Sequence, residues 1–205
     1  MKHNLSYVHP SANVAPSAYV GPHSVVGVYS VVRENAQIGE NCRLGKEVLV
    51  DGNVRIDDNV QVEDGAHLNT GAIIESDVVI GSRVFLSSRA KKTSGELKGN
   101  RTIRICHGAY VGADSVVSAG VTVGRFAVVE PGSTVAYDVP DHALMLGTPA
   151  RQVGYVCSCY TRLVEDAEGS FKCPKCGEHY QRVISADSGR YAELFSPRAS
   201  FNAQR

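Results

Sequence analysis

Two short cysteine pairs carry the clearest chemistry in the chain. Cys157-Ser-Cys159 and Cys173-Pro-Lys-Cys176-Gly are separated by thirteen residues, the pattern of a zinc ribbon in which each of two turns offers two thiolates to one tetrahedral ion. Pro174 and Gly177 shape a knuckle whose backbone amides stabilise thiolate charge; the first pair has one intervening residue where two are commoner. Four protein sulfurs leave no position for water, so the expected zinc is structural. A redox dithiol and four free thiols are the alternatives. His179 is close enough to replace a ligand, but beside Tyr180 it reads as a surface residue. A second group is cationic. Lys91, Lys92, Lys98, Arg101 and Arg104 crowd the polar segment between Leu86 and Ile105, a concentration of charge suited to a ligand with several phosphates, or simply to a solvated loop.

What must position these groups is a repeat. An aliphatic residue falls every sixth position from Val8 through Val14, Val20, Val26, Val32, Ile38, Leu44, Val50, Ile56, Val62, Leu68, Ile74 and Ile80 to Leu86. With about half of residues apolar, fourteen such hits arise by chance roughly once in sixteen thousand trials. Four places after each stands a small or β-branched residue, and three places after stand Asn35, Asn41, Asn53, Asn59, Gly65, Gly71 and Asp77, types that accept positive φ with least strain. The frame lapses after Ala90 and resumes at Ile105, Val111, Val117, Val123, Val129 and Val135. Hexapeptide periodicity predicts an all-β protein, a parallel β-helix of triangular section. Three units make a coil, so twenty units give between six and seven coils, a prism about 30 Å tall.

The expected organisation is a β-helix over 1–139 with an ejected loop at about 88–104, a terminating turn or short helix over 140–156, the ribbon over 157–182 and a partly ordered tail over 183–205, with a short helix around Tyr191 to Phe195. The 205 residues are 43% hydrophobic, with 21 acidic and 21 basic side chains. Neutrality gives no global field for nucleic acid or an anionic membrane. No apolar run approaches the roughly 18–20 residues that span a bilayer, and Met1 to Pro10 lacks a signal core, so a soluble, cytoplasmic protein is expected, its cysteines reduced.

The segments Gly120-Val-Thr-Val-Gly124-Arg-Phe-Ala-Val-Val, Pro131-Gly-Ser-Thr-Val and Asp138-Val-Pro-Asp-His-Ala-Leu-Met-Leu-Gly147-Thr-Pro-Ala-Arg151 resemble the C-terminal signature of left-handed β-helix hexapeptide acyltransferases. Resemblance covers residues 8 to about 155, extended by the ribbon toward 180. It is nearest to the sugar-nucleotide N-acetyltransferases that act on the 3-amino group of UDP-linked diamino-uronic acids. The resemblance implies a homotrimer, with acetyl-CoA along the groove between prisms and the ejected loop over it. Arg151 and the loop cations would meet the coenzyme phosphates, and Ser118, Gly120 and Arg125 the pantetheine and adenine ends; Gly120 and Gly124 have turn residues as their alternative reading. The acceptor end departs from the family. Its Trp-His pair, Gln-Asn-Asn run and Thr-Asn fall on Gly27-Val28, Glu63-Asp64-Gly65 and Ser87-Ser88, so the implied acceptor is a nucleotide-linked amino sugar or a similar small amine or alcohol.

Acyl transfer needs a base, and histidine is the usual one. His3, His9 and His23 lie on the first coils and His142 in the terminating turn, far from the loop or outside the coils. His67 faces outward with Asn69, and one coil later the same positions hold Phe85 and Ser87, which gathers His67, Asn69, Ser87 and Ser88 beneath the loop's root. His107, where the chain re-enters the repeat, is the other candidate. Glu63 would orient a histidine or bind an acceptor hydroxyl. Two other functions share the fold: a binding or scaffolding trimer that has lost transfer, and a γ-type carbonic anhydrase, in which Thr102 stands where a histidine partner of His107 belongs.

Overall fold

The computed structural model describes residues 5–87, 102–167, 169–183 and 193–195. Twenty two-residue strands, from β1 (Tyr7–Val8) to β20 (Thr134–Val135), each hold one outward residue and one inward aliphatic residue. Every third strand pairs in parallel, building three flat sheets around a left-handed parallel β-helix of about seven turns. The first face runs from β1 to β19 (Val128–Val129) and continues into a C-terminal hairpin; the third runs from β3 (Tyr19–Val20) to β18 (Thr122–Val123). The second comprises β2 (Asn13–Val14), β5 (Val31–Val32), β8 (Leu49–Val50), β11 (His67–Leu68), β14 (Phe85–Leu86), β17 (Val116–Val117) and β20.

The aliphatic column fills the prism: Ile38, Leu44, Ile56, Leu68, Ile74, Ile80, Leu86 and Ile105 are all buried. Only the first coil is open at its end, where Val8 is 37% exposed. The small-residue column has a local cause. Ser24 Oγ donates to Gly39 O at 2.8 Å and accepts from Cys42 N at 2.9 Å, and Ser30 repeats this with Gly45 O and Val48 N. A side chain there meets the backbone of the next coil, so a large one has no room. The corners adopt positive φ at Asn35, Asn41, Asn53, Asn59, Gly65, Gly71 and Asp77, as their types predict. His23, Tyr29, Glu47, Arg83, Phe126 and His142 take the same conformation without that chemistry: the ladders on either side impose it, at about 1–2 kcal/mol per residue.

Two expectations are corrected. Residues 140–156 form neither a plain turn nor a helix but an antiparallel hairpin, β21 (Ala143–Gly147) with β22 (Ala150–Tyr155), whose first strand pairs with β19. Ala143, Met145 and Ala150 join the core of the coils and cover the last coil, which needs a wide apolar lid that a turn does not supply. In the tail, Glu193–Phe195 is not helical; it is a strand, β26, paired with β25 (His179–Val183). With β23 (Val164–Glu165) and β24 (Phe171–Lys172) these make a four-stranded sheet over a separate small core of Tyr155, Leu163, Phe171 and Tyr180 with two cysteines. Among the described residues no helix is long and apolar enough to cross a membrane.

Candidate active site

Parallel pairing aligns the second face into rows. His67 lies opposite Leu49 on one side and Phe85 on the other. The residues that follow each inward aliphatic form a second row, Arg33, Asp51, Asn69, Ser87 and Ser118, one per coil. The insertion leaves this row after Ser87, and the chain rejoins the prism in β15 (Arg104–Ile105) on the third face. His67 thus stands one coil below the exit.

Its surroundings are polarised. The His67 side chain is 31% exposed, with Nε2 turned inward 3.5 Å from Asp51 Oδ2, and Arg33 Nε lies 3.3 Å from the other oxygen, Oδ1. The His67–Asp51 separation exceeds an ordinary N–H···O bond, and Nε2 is the one buried side-chain nitrogen or oxygen without a hydrogen bond among the described residues. The ring meets Phe85 edge-on, centroids 5.2 Å apart. A carboxylate facing one ring nitrogen favours the tautomer with the N–H on that side, which has its lone pair on Nδ1. Asn69 differs from its outward expectation: it is buried, and its Nδ2 donates to Leu86 O, so it ties two coils together at the exit. Ser87 and Ser118 are half-buried on the same row, their amides donating to Val117 O and Val135 O. Gly120, φ +78°, turns the corner to the third face. Ser88, Lys91, Lys92, Lys98 and Arg101 lie outside the described residues.

His107 belongs to a different corner, between the third and first faces. Its Nδ1 is 3.4 Å from Asp77 Oδ2 and its amide donates to Glu75 Oε2, whose partner oxygen accepts from Arg104. Burial alone would raise the Glu75 pKa, but the His107 amide and Arg104 outweigh it, and the carboxyl lies below its ordinary range. The His107 ring packs edge-on against Phe126, Phe126 stacks on His142, and His142 meets Tyr180 of the ribbon sheet. Arg125 sits at this corner, its amide on Asp141 Oδ1. Glu63 is elsewhere again: its carboxylate accepts from the amide and hydroxyl of Ser82 at the corner between the first and second faces, a cap on the turn above it. Arg151 lies on the exposed hairpin strand. Within one chain, then, the structure joins His67, Ser87, Ser118 and Gly120 on one side of the prism, and sets His107 and Arg125 at another corner.

Asp51 and Arg33 are the residues that sequence reasoning missed. Their signal was present: opposite charges eighteen residues apart, one coil, in the row that leads to Asn69 and Ser87.

The four ribbon thiols converge as expected, all Sγ atoms within 4.8 Å of one another, with Cys157–Cys176 at 3.4, Cys159–Cys173 at 3.6 and Cys159–Cys176 at 3.8 Å. Tetrahedral Zn–S bonds of about 2.3 Å set sulfurs about 3.8 Å apart. None of the four forms a disulfide, and Cys176 N points at Cys173 Sγ. The donor set and spacing fit zinc.

No family model matches the chain. It is 44% identical over 81 residues to dTDP-3-amino-3,6-dideoxy-alpha-D-galactopyranose 3-N-acetyltransferase of Aneurinibacillus thermoaerophilus, a match covering 40% of this chain and 41% of that protein. Over that stretch the chain is similar to the hexapeptide-repeat acyltransferases. Serine acetyltransferase of Salmonella typhimurium is 38% identical over 61 residues, 30% of this chain and 22% of its own. A solved structure of the Bacillus cereus N-acyltransferase AntD, a point mutant in complex with dTDP and coenzyme A, shares the fold at TM-score 0.53 and 16% identity, over 75% of this chain and 84% of that one. The matched part of this hexapeptide-repeat chain spans less than half the length of these two curated relatives.

Proposed function

We propose that this protein is an acetyl-CoA-dependent N-acetyltransferase whose acceptor is a nucleotide-linked amino sugar, with His67 as the base. The single observation that carries the assignment is the half-buried His67 beside Asp51, one coil below the point where the insertion leaves the second face. The relatives, which act on an amino sugar and on serine by name, support acyl transfer to an amine or hydroxyl.

The step balances in atoms and electrons. The acceptor nitrogen attacks the thioester carbonyl, a C–N bond forms and the C–S bond breaks. The proton shed by nitrogen passes to His67 Nδ1 and then to the coenzyme thiolate, which leaves as thiol, so the base is regenerated. Asp51 stabilises the imidazolium while it lasts. General-base catalysis of this kind supplies about 10²–10⁴-fold. Ser118 and Gly120, on the coil above the exit, are the donor-side residues of this face; Ser87 lines the acceptor at the rim, and Ser88, next in the chain, remains a candidate for a catalytic role. Arg125, Arg151 and the basic insertion would meet coenzyme phosphates where a second copy closes the groove, and we read the assembly as a homotrimer. The apolar outward residues Val31, Leu49 and Val116 on the second face support such packing. Cys157, Cys159, Cys173 and Cys176 would hold a zinc ion that supplies cross-linking only, its four positions being filled by sulfur. Thiols that must stay reduced to bind metal suit a cytoplasmic protein.

Calorimetric titration with acetyl-CoA, followed by turnover with amino-sugar nucleotides, tests the reading. Wild type and His67→Gln should bind acetyl-CoA alike, while turnover falls at least a hundredfold in the variant. Absence of acetyl-CoA binding defeats the acyltransferase reading; binding with undiminished turnover in His67→Gln defeats only the assignment of the base.

A further inference from the structure

Arg33, Asp51 and His67 form a line of polar side chains on one face, and one end of it is not consumed by its partners. Asp51 is enclosed, its side chain 15% exposed, and divides its oxygens: Oδ2 faces His67 Nε2 and Oδ1 faces Arg33 Nε. The Arg33 side chain is 55% exposed. Asp51 meets it at Nε, so the terminal edge of the guanidinium remains for a ligand. In the two rows of this face, Arg33 is the single side chain of permanent positive charge among the described residues.

Distance gives this charge a meaning. The strand of His67 is two steps along the sheet from the strand preceding Arg33, and His67 is in register with Val31, two residues before Arg33; at about 4.8 Å per step and about 3.3 Å per residue the two side chains are rooted about 12 Å apart. We infer that Arg33 is the anion receptor of the acceptor site, binding the diphosphate of a nucleoside-diphosphate-linked acceptor whose nucleophile reaches His67. This rests on the reading of His67 as the base. A sugar ring plus its anomeric phosphate link spans such a gap. Serine does not, because only two carbons separate its hydroxyl oxygen from its carboxylate carbon. Arginine suits the role, since its planar fork takes phosphate oxygens two at a time.

The decisive experiment uses the full chain and free nucleoside diphosphates as probes. dTDP, UDP and GDP are titrated separately, beside L-serine, into wild type, Arg33→Gln, Arg33→Lys and, as a control on another corner, Arg83→Gln. At least one diphosphate should bind wild type and Arg83→Gln equally, with affinity falling tenfold or more in Arg33→Gln and part of it restored in Arg33→Lys. With the corresponding amino-sugar nucleotide, Arg33→Gln should raise KM and leave kcat within about threefold. No diphosphate binding to wild type, equal binding to Arg33→Gln, or tighter binding of L-serine than of any diphosphate overturns the inference. The two ideas separate in His67→Gln: if it binds diphosphate normally but turns over at the wild-type rate, the base assignment falls and the anion receptor stands.

Discussion

Tyr160, in the ribbon, donates its hydroxyl to the carbonyl of Gly108, on a corner of the prism, at 2.8 Å across 52 residues of chain. Burial first, and then the Asp77 carboxylate, raise its pKa, which keeps the phenol protonated and able to donate. The ribbon is therefore fastened to the corner that carries His107, where His142 and Tyr180 add a ring contact of 5.0 Å.

Removing that bond should loosen the ribbon without harming the coils. Tyr160→Phe is expected to cost about 1 kcal/mol, seen as faster hydrogen exchange in the ribbon and around Gly108, with amides of the central coils unaffected. Uniform acceleration throughout the chain would mean that ribbon and prism unfold as one unit.

Metal content offers a second check. One zinc per chain should be found by elemental analysis, and Cys173→Ser should lose it. Chelation should expose the small core of Tyr155, Leu163, Phe171 and Tyr180 while the β-sheet circular dichroism of the prism persists, since the ribbon's core is separate from that of the coils.

Two glycines should behave oppositely to intuition based on φ. Gly71 is left-handed, φ +72°, yet a methyl there meets nothing within 4 Å, so Gly71→Ala should cost about 1–2 kcal/mol of backbone strain. Gly81 has no such φ, but a methyl would lie 2.6 Å from Ala113 N of the next coil; backbone cannot step aside, and Gly81→Ala should cost about 3 kcal/mol or more. Denaturant midpoints of the two variants decide the order.

Acid should act through Glu75. Its folded-state pKa is depressed, with the His107 amide and Arg104 overcoming burial, so its stabilisation is complete above the ordinary value of 4.5 and is lost as pH falls through the folded-state value. Glu75→Gln should be less stable than wild type at neutral pH, and the gap should close below pH 4.5. A gap independent of pH would assign Glu75 a packing role only.

The fold was legible because a hexapeptide repeat has few ways to bury its aliphatic column, and Leu68 or Ile80 would be equally misplaced in any other period. The hairpin over 140–156 was not, since Ala143, Leu144 and Met145 follow the last unit without the turn residue that would announce a strand. In the site, His67 could be placed because the repeat dictates its face. Asn69 was misjudged for a reason that period alone does not hold: its amide satisfies Leu86 O at a coil whose neighbour is interrupted by the insertion. Glu63 looked available for chemistry, but exposure in sequence terms does not reveal that Ser82 comes within 2.8 Å of it from the coil above.

Because the insertion departs from one corner and the ladder of β12 (Ile73–Ile74) with β15 closes over the gap, lengthening or replacing that segment leaves the spacing of every rung unchanged. The second face is in effect a graduated ruler: two side chains in one row can be separated only by whole rungs of about 4.8 Å. A change in the length of molecule it accepts would come in discrete steps, by moving a charge eighteen residues along the chain, while the contents of the insertion vary independently.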